Sequence, residues 1–359
     1  MTEKNYKLEV ANFVFKIGEK ELLDAFNDWF YPTVTDGCYI DGRSYSETQK
    51  LFFHETEILI HGDEEPVLIG KLVKHQKLSS DQYFKDGKLI PDNKTLDTHP
   101  SSFFVLTLSN HKLLWVEETK RAPKVSDFQQ IVKSQIMNKR REYIHEQVNQ
   151  RKKELYIEFG KSNFRNDKEG KKEFDRKLDQ FKQVLSRETL PHVEVTPLAD
   201  QGLLNDRLKN IQVIKSIKIK FLQTNNELAD ENEQFLRRFQ KTGEALGANS
   251  SSANFNGSKE NPLDTKKGIS IIKSSSRGTM KTDINATNKS GDDVTFNNYD
   301  DKVKVKKPIE QFKKSLSHMD KLIAVFDSFK NMVGKSIKIP VINAIAKKKA
   351  LELVKSIKK

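Results

Sequence analysis

The chain has 359 residues, 36% of them hydrophobic and 31% charged, with a formal net charge of +13. That length suffices for two domains at ~100–200 residues each, and the composition is that of a globular chain with a polar surface. A single cysteine, Cys38, excludes a disulfide framework and a cysteine-based zinc site.

No run approaches the ~20 apolar residues of a membrane span. The opening MTEKNYKLEV lacks the apolar core of an export signal. The sequence therefore predicts a soluble, cytoplasmic protein with no membrane span. An excess of positive charge this large favours a polyanionic partner, nucleic acid ahead of an acidic membrane.

In chain order, residues 7–17 (KLEVANFVFKI) predict a strand ended by Gly18. Residues 19–30 predict a helix with Leu22, Leu23, Phe26, Trp29 and Phe30 on one face. Residues 39–42, 51–60 and 67–74 predict further strands, with His61-Gly62-Asp63 as a turn. Residues 79–100 are polar and expected as loop. Two apolar runs then flank the polar turn Ser109-Asn110-His111-Lys112: Phe103 to Leu108, and Leu113 to Val116. They predict a β-hairpin covered on both faces. After Pro123, Ser126 is the expected cap of a long helix whose apolar stripe begins at Phe128, Ile131 and Val132.

The chain is then helical and charged to about residue 187, interrupted near Gly160 to Gly170. Most of its alternating Lys, Arg and Glu read as a solvated face with i,i+4 pairs. Extended structure returns at residues 192–196 and 213–222, with a helix near 203–209 between them. Asp230 is expected to start a helix bearing Phe235, Leu236 and Phe239. Residues 249–267 are expected as loop, and 268–273, 294–296 and 302–306 as short strands. Two amphipathic helices close the chain. The first is marked by Phe312, Leu316, Met319, Ile323, Phe326 and Phe329, and the second starts at Pro340.

The fold class expected is α+β: two antiparallel-sheet halves separated by a helical hairpin, with a basic helical C-terminal tail. The corresponding boundaries are an N-terminal α+β domain (1–132), a charged helical hairpin (133–190), a second α+β domain (191–306) and a Lys-rich tail (307–359).

The tail carries the strongest functional signal. Residues 302–359 hold sixteen lysines against four acids, an excess of twelve, whereas the remainder of the chain is nearly neutral. Lysines bind phosphates as mobile point charges and release counterions, which gives affinity without base readout. The candidate nucleic-acid contacts are Lys347, Lys348, Lys349, Lys355, Lys358 and Lys359, with Lys139, Arg140 and Arg141 broadening the patch. A solubilising terminal helix is the plainer alternative.

Glu118-Thr119-Lys120 ends the second hairpin strand, and Asp97 precedes the first. An acid, an E-x-K and a divalent metal, Mg²⁺ or Mn²⁺, form the catalytic set of restriction-type nucleases, so Asp97, Glu118 and Lys120 define an enzymatic alternative. Outside that alternative no cofactor is expected. His54, Glu55, His61 and Asp63 are close in sequence, but neighbours in a strand point to opposite faces, so a polar strand edge is the expected reading. No phosphate-binding Gly loop, nucleophile elbow or H-E-x-x-H occurs. Trp29 and Trp115 lie among apolar neighbours and are assigned to the core.

The SSFF run, the polar turn, the apolar strand with a basic exit (residues 113–121) and a helix starting near Asp127 resemble the RexA-type phage-exclusion proteins and abortive-infection (phage-defence) proteins. The resemblance spans residues 50–130, and the helical segment at 133–187 departs from it. It implies a non-enzymatic, sequence-nonspecific DNA-binding homodimer in antiphage defence, working with a second protein of the system. DNA is expected ahead of RNA, and a scaffold binding only protein is a further alternative. The resemblance assigns no individual residue.

Overall fold

The computed structural model describes residues 5–35, 39–41, 49–62, 65–79, 82–91, 94–160, 167–221, 238–239, 241–243, 245–246, 248, 251–258, 260–275, 278, 280–300, 303–339 and 344–357. Cys38, Asp230, Phe235, Leu236, Pro340, Lys358 and Lys359 lie outside them.

Strand β1 (Lys7–Ile17) turns at the left-handed Gly18 into β2 (Lys20–Glu21), which pairs back on it. The helix expected over 19–30 therefore starts late, as a π-helical turn at Phe26–Phe30 continued by α1 (Tyr31–Val34). Next come β3 (Tyr39–Asp41), β4 (Gln49–His61), β5 (Glu65–Ser79), β6 (Gln82–Lys85), β7 (Lys88–Pro91) and β8 (Thr95–Thr98). The stretch 79–100, expected as loop, thus contains three short strands. Asp86-Gly87, both left-handed, closes the β6–β7 hairpin, as Asp-Gly does in tight two-residue turns. The central hairpin is β9 (Ser101–Thr107) and β10 (Lys112–Glu117).

Two long helices follow, α2 (Val125–Phe159) and α3 (Lys168–Glu188). Ser126 does not cap α2. The Asp127 carboxylate instead accepts from the Lys124 backbone N–H at 2.7 Å, one turn earlier. The second half comprises β11 (Pro191–Pro197), α4 (Gln201–Lys209), β12 (Ile211–Phe221), β13 (Ser251–Asn256), α5 (Thr265–Ser275), β14 (Met280–Asn288), β15 (Asp293–Asn297) and β16 (Lys306–Pro308). The tail forms α6 (His318–Met332) and α7 (Ala344–Ile357). The fold is α+β with antiparallel sheets.

The main sheet runs β11-β1-β10-β9-β5-β4-β3, with β2 and β16 added to β1 and β8 to β5. Each central strand has to be apolar on both sides, because both faces of the sheet are covered. Phe104, Leu106, Leu113 and Trp115 face Phe26, Phe30, Phe128 and Ile131, with Ala350 and Val354 of α7 in the same core. Phe103, Val105, Leu114 and Val116 face Leu322, Val325, Phe326 and Phe329 of α6. The tail helices therefore clamp the sheet from opposite sides. Strand β11 is an edge, and an open edge exposes backbone groups. The side chain of Gln129 covers it, donating to Val193 O at 3.3 Å and accepting from Val195 N at 3.1 Å.

A separate sheet, β13-β12-β14-β15, packs its Ile214, Ile217, Ile219 and Ile284 against α4 and α5. Residues 268–273 are helical, not the strand expected from Gly-Ile-Ser-Ile-Ile-Lys. A short apolar run fits either state, and here Asp264 accepts from the Lys267 N–H and starts a helix. Helix α5 lies so close to β12 that a Cβ on Gly268 would stand 2.6 Å from Ile214 Cδ1. Strands β11 and β16 join the first sheet, so the boundaries read at 191 and 306 run through that sheet.

Candidate nucleic-acid interface

The tail's lysines divide into two groups. One group is engaged by acids of the body. Lys306 lies 3.7 Å from Glu9 and 3.2 Å from Glu117, Lys307 lies 2.5 Å from Asp200, and Lys349 pairs with Asp24. Lys321 meets Glu118 at 2.5 Å in a contact where both side chains are at most 2% exposed. The positive excess of the tail is therefore partly spent on holding the tail in place.

The second group faces water. On α7, Ala350 and Val354 are buried and Leu353 and Ile357 partly buried against the main core, as the alternation of apolar residues and lysines predicted. Seating that side fixes the opposite one. Lys348 and Lys355, two turns apart, are exposed on it, with Lys348 4.0 Å from Glu352. Lys347 and Lys349 lie toward the body. The charge of Lys347 acts on Glu65, whose carboxyl burial pushes up while a hydrogen bond from Ser109 and Lys347 pull it down. Lys349 similarly opposes the upward push of burial on Glu21.

Of the three cations on α2, Arg140 has a structural task. Its guanidinium donates to Ser186 O at 2.9 Å and Thr189 Oγ1 at 3.3 Å, tying α2 to the C-terminal end of α3. Lys139 is half-buried and Arg141 exposed. Helix α2 touches the Phe26–Phe30 turn where Tyr143 packs edge-on against Trp29, and α7 touches the residues before that turn where Lys349 pairs with Asp24. Of the nucleic-acid residues read from the sequence, Lys348, Lys355 and Arg141 are exposed, the first two on α7 and the third on α2.

The residues of the nuclease alternative take separate partners. Asp97, on β8, lies 4.0 Å from His75, whose Nδ1 is 3.0 Å from His99 Nε2. Glu118 has both carboxylate oxygens occupied, one by Lys321 and the other accepting from Ser101 Oγ at 2.8 Å. Lys120 is exposed on the turn leaving β10. Among the described residues no three His, Cys, Asp or Glu side chains are grouped as a metal site requires. Glu55, weighed in the sequence beside His54, sits in a left-handed conformation at a bulge in β4. From there its carboxylate reaches Lys71 at 2.5 Å and His318 at 2.8 Å.

The Glu118–Lys321 pair was invisible in the sequence, since its members are 203 positions apart. No helix among the described residues is long and apolar enough to cross a membrane. Compared with known proteins, the chain matches no family model, and no curated protein or solved structure is significantly similar to it.

Proposed function

We propose that the protein binds nucleic acid, DNA ahead of RNA, without reading its sequence, as a non-enzymatic component of a bacterial antiphage system. The observation that carries this reading is the orientation of α7. Its apolar side is seated in the main core, so Lys348 and Lys355 are presented outward on a fixed helix rather than a floppy tail. Lysine contacts of this kind go to phosphates and position a protein on a duplex without specifying bases. The RexA-like pattern around the central hairpin supplies the defence context and a dimeric, cytoplasmic form with a second protein as partner.

Fluorescence anisotropy with a random-sequence duplex at low salt tests the reading, comparing wild type with Lys348→Ala/Lys355→Ala. Binding that weakens equally for every duplex supports it, and no binding by the wild type removes it in favour of a protein-binding scaffold. Plasmid incubated with Mg²⁺ or Mn²⁺ tests the nuclease alternative, with Lys120→Ala as the control. Glu118→Ala is a poor control, because it would strand Lys321 in the core.

A further inference from the structure

We infer that a cleft at the open end of β1, β10 and β16 is a binding site for a nucleoside monophosphate, either free or as the 5′ end of a strand. It has a volume of about 270 Å³ and lies far in the chain from the helix α7 lysines. Alternation along the strands builds it. Glu9 stands opposite Trp115 and Lys306 in the registers of β1, so Lys7 and Glu9, Glu117 and Lys306 bring their side chains to one face of the sheet end. The turn after β10 adds Lys120 and the left-handed Arg121, both exposed.

The charges in this cleft are not balanced. Glu9 is held between Lys304 at 3.9 Å and Lys306 at 3.7 Å, and Lys306 also reaches Glu117 at 3.2 Å. Among the described residues two lysines thus answer two carboxylates, and Lys7, Lys120 and Arg121 add positive charge around a concave surface. A guanidinium beside two ammonium groups suits a dianionic phosphate, which Arg grips with paired N–H donors. The volume is near the lower end of the ~300–1,000 Å³ of ligand pockets, which favours one nucleotide over a longer ligand. Tyr6 borders the cleft, with its ring packed on Phe312 at 5.0 Å on the α6 side of the sheet, which fixes the strand end that carries Lys7. The carboxylates of Glu9 and Glu117 offer acceptors for sugar hydroxyls or base amino groups. Tyr6 also lines a second, wider groove with Lys313 and Lys314, through which a strand attached to the nucleotide can leave.

The site is independent of the α7 surface, so the two can fail separately. Isothermal titration of the full chain with AMP, adenosine and inorganic phosphate tests it, alongside Lys120→Ala/Arg121→Ala, Lys7→Ala and Lys348→Ala/Lys355→Ala. AMP is expected to bind at least tenfold more tightly than either adenosine or phosphate. The cleft variants should each weaken AMP, the double one by tenfold or more with an unchanged circular dichroism spectrum, while the α7 variant binds AMP as wild type does. A single-stranded 20-mer carrying a 5′-phosphate and its 5′-hydroxyl counterpart then separate the sources. A tenfold preference for the phosphate identifies a strand end, and no preference alongside AMP binding identifies a free nucleotide. Equal binding of AMP and adenosine, equal binding of AMP and phosphate, or a folded Lys120→Ala/Arg121→Ala protein with wild-type affinity would overturn the assignment.

Discussion

Replacing Lys321 with Met should destabilise the protein far more than any other single lysine change in the tail. The ammonium and the Glu118 carboxylate are 2% and 1% exposed and 2.5 Å apart, and Ser101 Oγ donates to that carboxylate at 2.8 Å. Lys321 Nζ also lies 5.8 Å and 5.9 Å from the rings of Phe103 and Phe312, so the contact is walled by apolar surface. Removing one partner leaves a desolvated charge, which costs about 3–5 kcal/mol. At ~2.1 cal/mol/K of unfolding entropy per residue, a chain of 359 residues shifts by roughly 1.3 °C per kcal/mol, so the melting temperature should fall by about 4–7 °C. Replacing both partners, Glu118→Leu with Lys321→Met, should recover most of the loss, because an apolar pair of similar volume avoids the desolvation of two ions. Urea denaturation of the wild type, both single variants and the double variant closes the cycle. A loss below about 1 kcal/mol in Lys321→Met, the size typical of an exposed pair, would refute the reasoning.

Other groups give separate tests. His192 is held below its ordinary value of 6.5, first by burial and then by Lys16, Lys133 and Lys220, with Glu194 opposing. Because the folded-state value is the lower one, this contribution to stability is complete above pH ~6.5 and is lost as the pH falls through the folded value. Denaturation midpoints should therefore drop on acidification from pH 7 in wild type, and less so in His192→Gln. The Tyr299 phenol, pushed up to about 12 by burial and by its hydrogen bond to Asp283, behaves with the opposite sense. Its contribution is intact below pH 10 and lost as the pH rises through about 12, and ultraviolet titration should show one late phenol that Tyr299→Phe removes. Gln129→Ala uncovers the edge of β11, costing about 1–3 kcal/mol for two hydrogen bonds. Hydrogen exchange at the Val195 amide should accelerate, and an unchanged rate would show that the edge is covered by other means.

Much of the fold was legible because both-sided apolarity has few solutions. A run such as Phe103 to Leu108 needs cover above and below, and the structure supplies it with α2 and α7 on one side and α6 on the other. Periodicity located the helical hairpin and the seated face of α7 for the same reason. The failures were at places where a local pattern fits two states. Gly268 to Lys273 fits a strand or a helix, and Asp264, four residues earlier, decides it. The short β6–β7 hairpin was missed because its apolar pairs, Tyr83-Phe84 and Leu89-Ile90, are only two residues long on either side of the Asp86-Gly87 turn. At the candidate interface, charge located the tail but could not separate lysines facing water from those facing acids. That division depends on long-range contacts such as Lys349 with Asp24 and Lys321 with Glu118, which no local pattern encodes.

The central claim, that α7 presents a phosphate-binding surface, is tested most directly by the salt dependence of duplex binding. Each lysine–phosphate contact contributes about −0.9 to the slope of log affinity against log salt for B-form DNA. Lys348→Ala/Lys355→Ala should therefore flatten the slope by roughly 1.8, equally for duplexes of unrelated sequence. Lys347→Ala and Lys349→Ala should each change it less, since those side chains already face Glu65 and Asp24. A slope unchanged in the Lys348/Lys355 variant, or an affinity that depends on the duplex sequence, would contradict the account.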